Sequence, residues 1–264
     1  MENYEAQYRS QTPVLPNTGF GKQLDQDLRP LYERIRNHPF IEDVVNGKAS
    51  WELIRGFSKE FFPLVRGTYR RMSMRLQHVA PHHCIVQADL IKEVAEEVWH
   101  TPMYLKWMKT IKMRVPEDIT SSMYLPETYA FILYINATST DRAALEEDCL
   151  RVFENDAWDG FVNYSQQGAL VTTLAATGVG GRCFPKASDK LADGFRKHYG
   201  LNDEQVEFWT EHGSLDQEHT DMGLDVIDRY ASTPALQLRA RESATVSLEL
   251  WARWWDAIYA KYRG

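Results

Sequence analysis

Apolar residues recur along this chain at intervals of three and four, and no convincing alternating run of strand length interrupts them. The pattern predicts a first helix from about Lys22 to Asn37. A second starts at Ser50, a good N-cap residue, and runs to about His78 with Pro63 bending it. A third covers about Cys84 to Met108, and Pro102 inside it predicts a kink just beyond His100. Shorter helices follow at Pro126–Ala137 and Asp141–Phe153. Another covers about Trp158 to Thr177 and stops at the cluster Gly178, Gly180, Gly181. Ser188–Tyr199 ends at Gly200, the residue type that closes helices in the left-handed conformation. Asn202 and Gln205 have capping-box spacing and open a long helix to about Tyr230. Thr233-Pro234 starts the last helix, which carries Trp251, Trp254, Trp255 and Tyr259.

About eight helices joined by short loops, with no repeat and no linker, predict one all-α helical bundle. The boundaries are an N-terminal arm over residues 1–20 and a helical domain over 21–264. The 264 residues are 44% hydrophobic, enough for a substantial core. A net charge of −7 excludes nucleic acid as the expected partner, because phosphate contacts need a basic surface. The arginine-rich stretch from Arg66 to Arg75 is read as a solvated helix face. No apolar run reaches membrane-spanning length, and the polar start of the chain does not resemble a signal peptide. Cys84, Cys149 and Cys183 lack CxxC spacing, which fits a reducing cytoplasm.

Chemistry concentrates in two triplets. Glu93-x3-Glu97-x2-His100 and His212-x3-Asp216-x2-His219 share one spacing, and helical positions i, i+4 and i+7 fall within about 40° of one face. Two such stripes packed together would enclose four to six oxygen and nitrogen donors, as carboxylate-bridged metal sites in bundles do. Carboxylate with imidazole suits Fe(II), Mn(II) or Zn(II). The lack of thiolates argues against structural zinc, and open coordination positions favour iron with O2. The competing reading makes both stripes solvated polar faces. Val94, Val98 and Trp99 beside the first triplet, and Phe208, Trp209 and Leu215 beside the second, favour burial instead.

These residues resemble the haem-oxygenase-like diiron oxidase and oxygenase family, with its PQQ-synthase-like and thiaminase-II-like relatives. The likeness extends from about residue 25 to 262, and Glu211 to His219 is its most specific part. It implies a non-haem iron oxidoreductase that holds one or two Fe(II) ions and uses O2 as co-substrate. Its substrate would be a small carboxylate-bearing metabolite (an amino acid, an amino-acid derivative or a fatty acid), in specialised-metabolite biosynthesis. One iron would sit with Glu93, Glu97 and His100, and the other with Asp216 and His219, His212 lying between. The resemblance is compatible with an external electron donor and with a homodimer. The alternatives on the same fold are a cofactor-free PQQ-synthase-like or thiaminase-like enzyme and an inactive helical binding protein.

Two departures from the family pattern stand out. Arg66 lies close to where many members carry a glutamate, and is a candidate clamp for a substrate carboxylate. The middle-helix acid that most members carry is also missing: no acid lies between Asp159 and Asp189, and Leu174 occupies the expected place. Glu60 as a substitute would point about 120° away from Arg66, so an ion-paired surface role is expected for it. His82-His83 and Cys183 are weaker candidates, for metal binding and nucleophilic catalysis respectively. The large aromatics, Tyr69, Tyr104, Trp107, Tyr164, Trp209 and Trp255, are expected mostly in the core.

Overall fold

The computed structural model describes residues 16–79, 84–115, 117–120, 123–140 and 168–264, and the side chains of all of these except 117, 120, 140 and 214–220. Every regular element among them is helical. They run α1 Phe20–Arg36, α2 Pro39–Val45, α3 Trp51–Arg75, α4 Cys84–Glu97, α5 His100–Thr110, α6 Glu117–Thr120 and α7 Pro126–Thr140. After these come α8 over 168–181, α9 Phe184–Tyr199, α10 Glu207–Tyr230 and α11 Pro234–Tyr262. The predicted helix Asp141–Phe153, the start of the next at Trp158, and His82, His83, Cys149 and Tyr164 lie outside the described residues.

The helix ends follow local chemistry. Ser50 Oγ accepts from the Leu53 amide at 3.1 Å, and Thr233 Oγ1 from the Leu236 amide at 3.3 Å, each satisfying a donor the first turn leaves bare. Gly200 closes α9 at φ +67°, a conformation that costs a residue with Cβ about 1–2 kcal/mol. Asn202 and Gln205 form the reciprocal bonds of a capping box, at 2.9 and 3.0 Å. Regular helix nevertheless begins only at Glu207, after a tight turn.

One prediction about helix continuity is corrected, and one helix end is extended. The third predicted helix is two helices, and the break falls at Val98-Trp99, before His100 rather than beyond it. Pro102 sits in the first turn of α5, where its missing N–H breaks no bond, so it helps to start a helix. Helix α8 ends at the last glycine of the cluster, Gly181, four residues beyond the predicted Thr177. Within it, Leu174–Val179 has π-helical geometry. Gly178 there faces Gly223 of α10, where a Cβ on either residue would be in ordinary van der Waals contact with the other's Cα.

Helix α3 runs through the centre of the bundle, packed by α4, α5, α7 and α11. Its apolar face supplies a continuous ring stack: Phe40 on Phe57 at 4.0 Å, Phe57 on Phe61 at 5.5 Å, and Phe61 parallel to Trp254 at 5.6 Å. Trp107, Trp209, Trp254 and Trp255 are all fully buried around it. Such ring pairs are worth about 0.5–1.5 kcal/mol each beyond the area they bury. Polar pins fix α5 against α3: the Tyr104 hydroxyl donates to the Ser58 carbonyl at 2.9 Å, and Trp107 Nε1 to Ser58 Oγ at 3.0 Å.

Glu60 is the residue whose setting departs most from expectation. It is fully buried, not on the surface. Its carboxylate accepts from the Leu125 amide and Thr128 Oγ1 at the start of α7, and from the Tyr262 hydroxyl at 3.2 Å. An anion at a helix N-terminus is favoured by the unpaired amides there, so Glu60 holds α3, α7 and α11 together.

Candidate metal and substrate chamber

The stretch from Ile91 to His100 buries its charges and exposes its apolar side chains. Glu93, Glu97 and His100 are 2%, 4% and 1% exposed, while Ile91, Val98 and Trp99 are 56%, 45% and 63% exposed. Hydrophobic burial would favour the reverse. A buried carboxylate is costly without partners, so the arrangement turns on what these groups meet.

They meet a cavity with an empty volume of about 790 Å³, its mouth included. It lies between α3, the α4–α5 break, α7, α8, α10 and α11. Glu93, Glu97, His100 and His212 all line it, so four of the six predicted metal ligands converge. Asp216 and His219 lie one and two turns beyond His212 on the same face of α10, and their side chains are outside the described ones. Among the described residues, no three His, Cys, Asp or Glu side chains form a ready metal cage.

Both histidines are held in the same way. The His100 Nδ1–H donates to Glu97 Oε2 at 2.6 Å, and the His212 Nδ1–H to the Phe208 carbonyl at 2.6 Å. Those acceptors fix the tautomer, so in each neutral ring the lone pair is on Nε2. A proton pinned on one nitrogen by a carboxylate or a carbonyl is the usual support for a metal-ligating imidazole. The two ring centroids are 4.2 Å apart. Two imidazoles held in this way are the type of donor that a metal ion takes.

Glu93 is engaged differently. Arg75 Nη1 donates to Glu93 Oε2 at 2.9 Å, both side chains are 2% exposed, and Arg75 Nη2 donates to Thr177 Oγ1 at 2.6 Å. The predicted iron ligand is therefore neutralised by a guanidinium. Helix α8 lines the cavity with Ala176, Thr177, Gly178 and Gly181, of which Thr177 brings the polar side chain, while Leu174 is fully buried in the core.

Arg66, the predicted substrate clamp, is exposed and stacked over Phe62, and it does not line the cavity. The arginines that do are Arg71 and Arg75, one turn apart on α3 and 4% and 1% exposed. The expectation of a solvated face there is corrected. Phe61, Leu64, Val65, Thr68, Arg71, Met72 and Arg75 share one helical face, and that periodicity is visible in the sequence once arginine is allowed to be buried. Cys183 is buried with its thiol on the Gly180 carbonyl at 3.3 Å, away from this chemistry.

Comparison with known proteins agrees with the geometry. A family model described as "iron-containing redox enzyme" matches residues 55–252, well over half of the chain. A TenA homolog from Pseudomonas syringae pv. tomato superposes with a TM-score of 0.75 at 16% identity, over 94% of this chain and 100% of its own. A domain of unknown function with a heme oxygenase-like fold from Shewanella denitrificans gives 0.69 at 19% identity, over 91% and 92% of the two chains. A TenA homologue from P. horikoshii gives 0.67 at 15% identity, over 91% and 98%. No curated protein matches the sequence. At these identities the solved structures establish the fold, and the family model establishes the kinship: the chain belongs to the iron-containing redox enzymes, built on the haem-oxygenase-like fold.

Proposed function

We propose that this protein is a non-haem iron, O2-dependent oxidase or oxygenase that acts on a small carboxylate-bearing metabolite in specialised-metabolite biosynthesis. The observation that carries this is the pair His100 and His212, each pinned through Nδ1 so that Nε2 carries the lone pair beside buried Glu97. Asp216 and His219 would complete the donor set from the next turns of α10. Iron, when bound, supplies the place where O2 binds and is reduced. The chain's own part is to orient the imidazoles, hold the acids in place and keep water from the reacting groups with apolar walls.

We further propose one iron rather than two. Glu93 is already neutralised by Arg75, and α8 offers the cavity a threonine hydroxyl instead of a carboxylate. Anaerobic loading with Fe(II), metal counting and then exposure to O2 tests both statements. One iron per chain with stoichiometric O2 uptake is expected.

A second reading rests on the Glu97–His100 pair, which at 2.6 Å is itself an acid/base dyad able to work without metal. A chain that retains no iron after loading, yet turns over a substrate, would favour that reading.

A further inference from the structure

Arg71 has a different setting from its neighbour. Its donors go to neutral acceptors: the Leu64 carbonyl, Thr68 Oγ1 at 3.0 Å and Asn136 Oδ1 at 3.4 Å. Among the described residues no carboxylate lies within ion-pairing distance of it. Burial, with Arg75 adding to it and Glu97 opposing, pushes its pKa down to about 9, so it remains a cation at neutral pH. A buried, unneutralised guanidinium is expensive, and this one borders a cavity large enough for a metabolite.

Gly67 makes the placement possible. A Cβ at that position would come within 2.2 Å of Arg71 Nη1, so the guanidinium folds back over the bare glycine one turn earlier on α3. The surrounding wall is apolar: Leu64, Val65, Met72, Phe131, Ile135 and Trp251. Among the described side chains, the acids that reach the cavity, Glu93 and Glu97, are engaged by Arg75 and His100. A ligand ammonium therefore finds its natural partners occupied, while a ligand carboxylate finds a cation that lacks one.

We propose that Arg71 is the anchor for a substrate carboxylate, and that the substrate is a monocarboxylate with an apolar body rather than an α-amino acid. The inference rests on the reading of the cavity as a substrate chamber, but it does not depend on iron or O2. The guanidinium charge, with the second Nη1 hydrogen that the bond to Asn136 does not use, suits a carboxylate oxygen, and the apolar wall takes the remainder of the molecule.

The test is calorimetric binding of decanoate, decanol and glutamate to the full-length protein, with iron measured in each sample and again after chelation. Decanoate should bind about 10- to 100-fold more tightly than decanol, the worth of a hydrogen bond to a charged group, and glutamate should bind more weakly than decanoate. Arg71→Met should lose the acid-over-alcohol preference while keeping the wild-type iron content and melting temperature. Gly67→Ala keeps the charge but displaces it, and should weaken decanoate about 5- to 10-fold if the anchor's position matters. Equal binding of acid and alcohol, or no binding of decanoate, would overturn the proposal. So would decanoate affinity that survives Arg71→Met and disappears on chelation, since the anchor would then be the metal. Decanoate binding that needs Arg71 in a chain that takes up no iron would leave this inference standing and sink the redox reading.

Discussion

Helix α11 and the stretch Ile91–His100 are both amphipathic, yet they bury opposite kinds of side chain. In α11, Trp251, Trp254 and Trp255 go inward while Arg253 and Asp256 face solvent, as transfer of apolar surface from water requires. In the earlier stretch Glu93, Glu97 and His100 go inward, and Val98 and Trp99 face solvent. The first arrangement stabilises itself. The second survives because each buried charge has a partner: Arg75 for Glu93, and His100 for Glu97. Where a chain keeps acids inside at the expense of available valine and tryptophan, their chemistry is the reason to look for function.

The contrast predicts how each region breaks. Arg75→Met should cost about 3–5 kcal/mol in urea unfolding, because it leaves Glu93 buried without a cation. The double variant Arg75→Met/Glu93→Leu should recover most of that, since a well-packed apolar pair is often as stable as a buried ion pair. A comparable loss, about 3–5 kcal/mol, is expected for Trp254→Ala in α11, through the cavity it opens. No partner substitution should restore it, which separates a packing defect from a charge left alone.

Smaller effects follow. Thr177→Val removes the hydroxyl that accepts from Arg75 and should cost about 1.5–3 kcal/mol by the same measurement. Trp99→Lys, at a residue 63% exposed, should change stability by less than about 0.5 kcal/mol. A large loss there would show that this face is covered in solution and would weaken the contrast with α11.

The all-helical architecture and most helix ends were legible because they depend on neighbouring residues. Ser50, Thr233, the Asn202/Gln205 pair and Gly200 act within one turn of themselves. The shared face of Glu93 and Glu97 on α4 was also legible, because spacing along a helix determines it, whereas their meeting with His100 across the helix break and with His212 on α10 depends on packing. What escaped depends on tertiary contacts. A proline after a potential ligand can kink a helix or start one, and only packing decided that Pro102 starts α5. The π segment of α8 carries no local signature, so the cavity-lining residues could not be identified as Thr177 and its neighbours rather than Leu174. Arg71 and Arg75 were discounted because charge normally implies solvent, and Glu60 for the same reason. Each is buried against a partner, or a cavity, far away in sequence.

The central claim is that His100 and His212, whose rings pack side by side at the cavity wall, together hold the metal. Iron counting after anaerobic Fe(II) loading tests it most directly, with wild type, His100→Gln and His212→Gln compared to His198→Gln on the outer end of α9. The account predicts about one iron per chain in wild type and His198→Gln, and little or none in the other two at unchanged helical content. Full iron retention in either cavity variant, or no iron in the wild type, would contradict it.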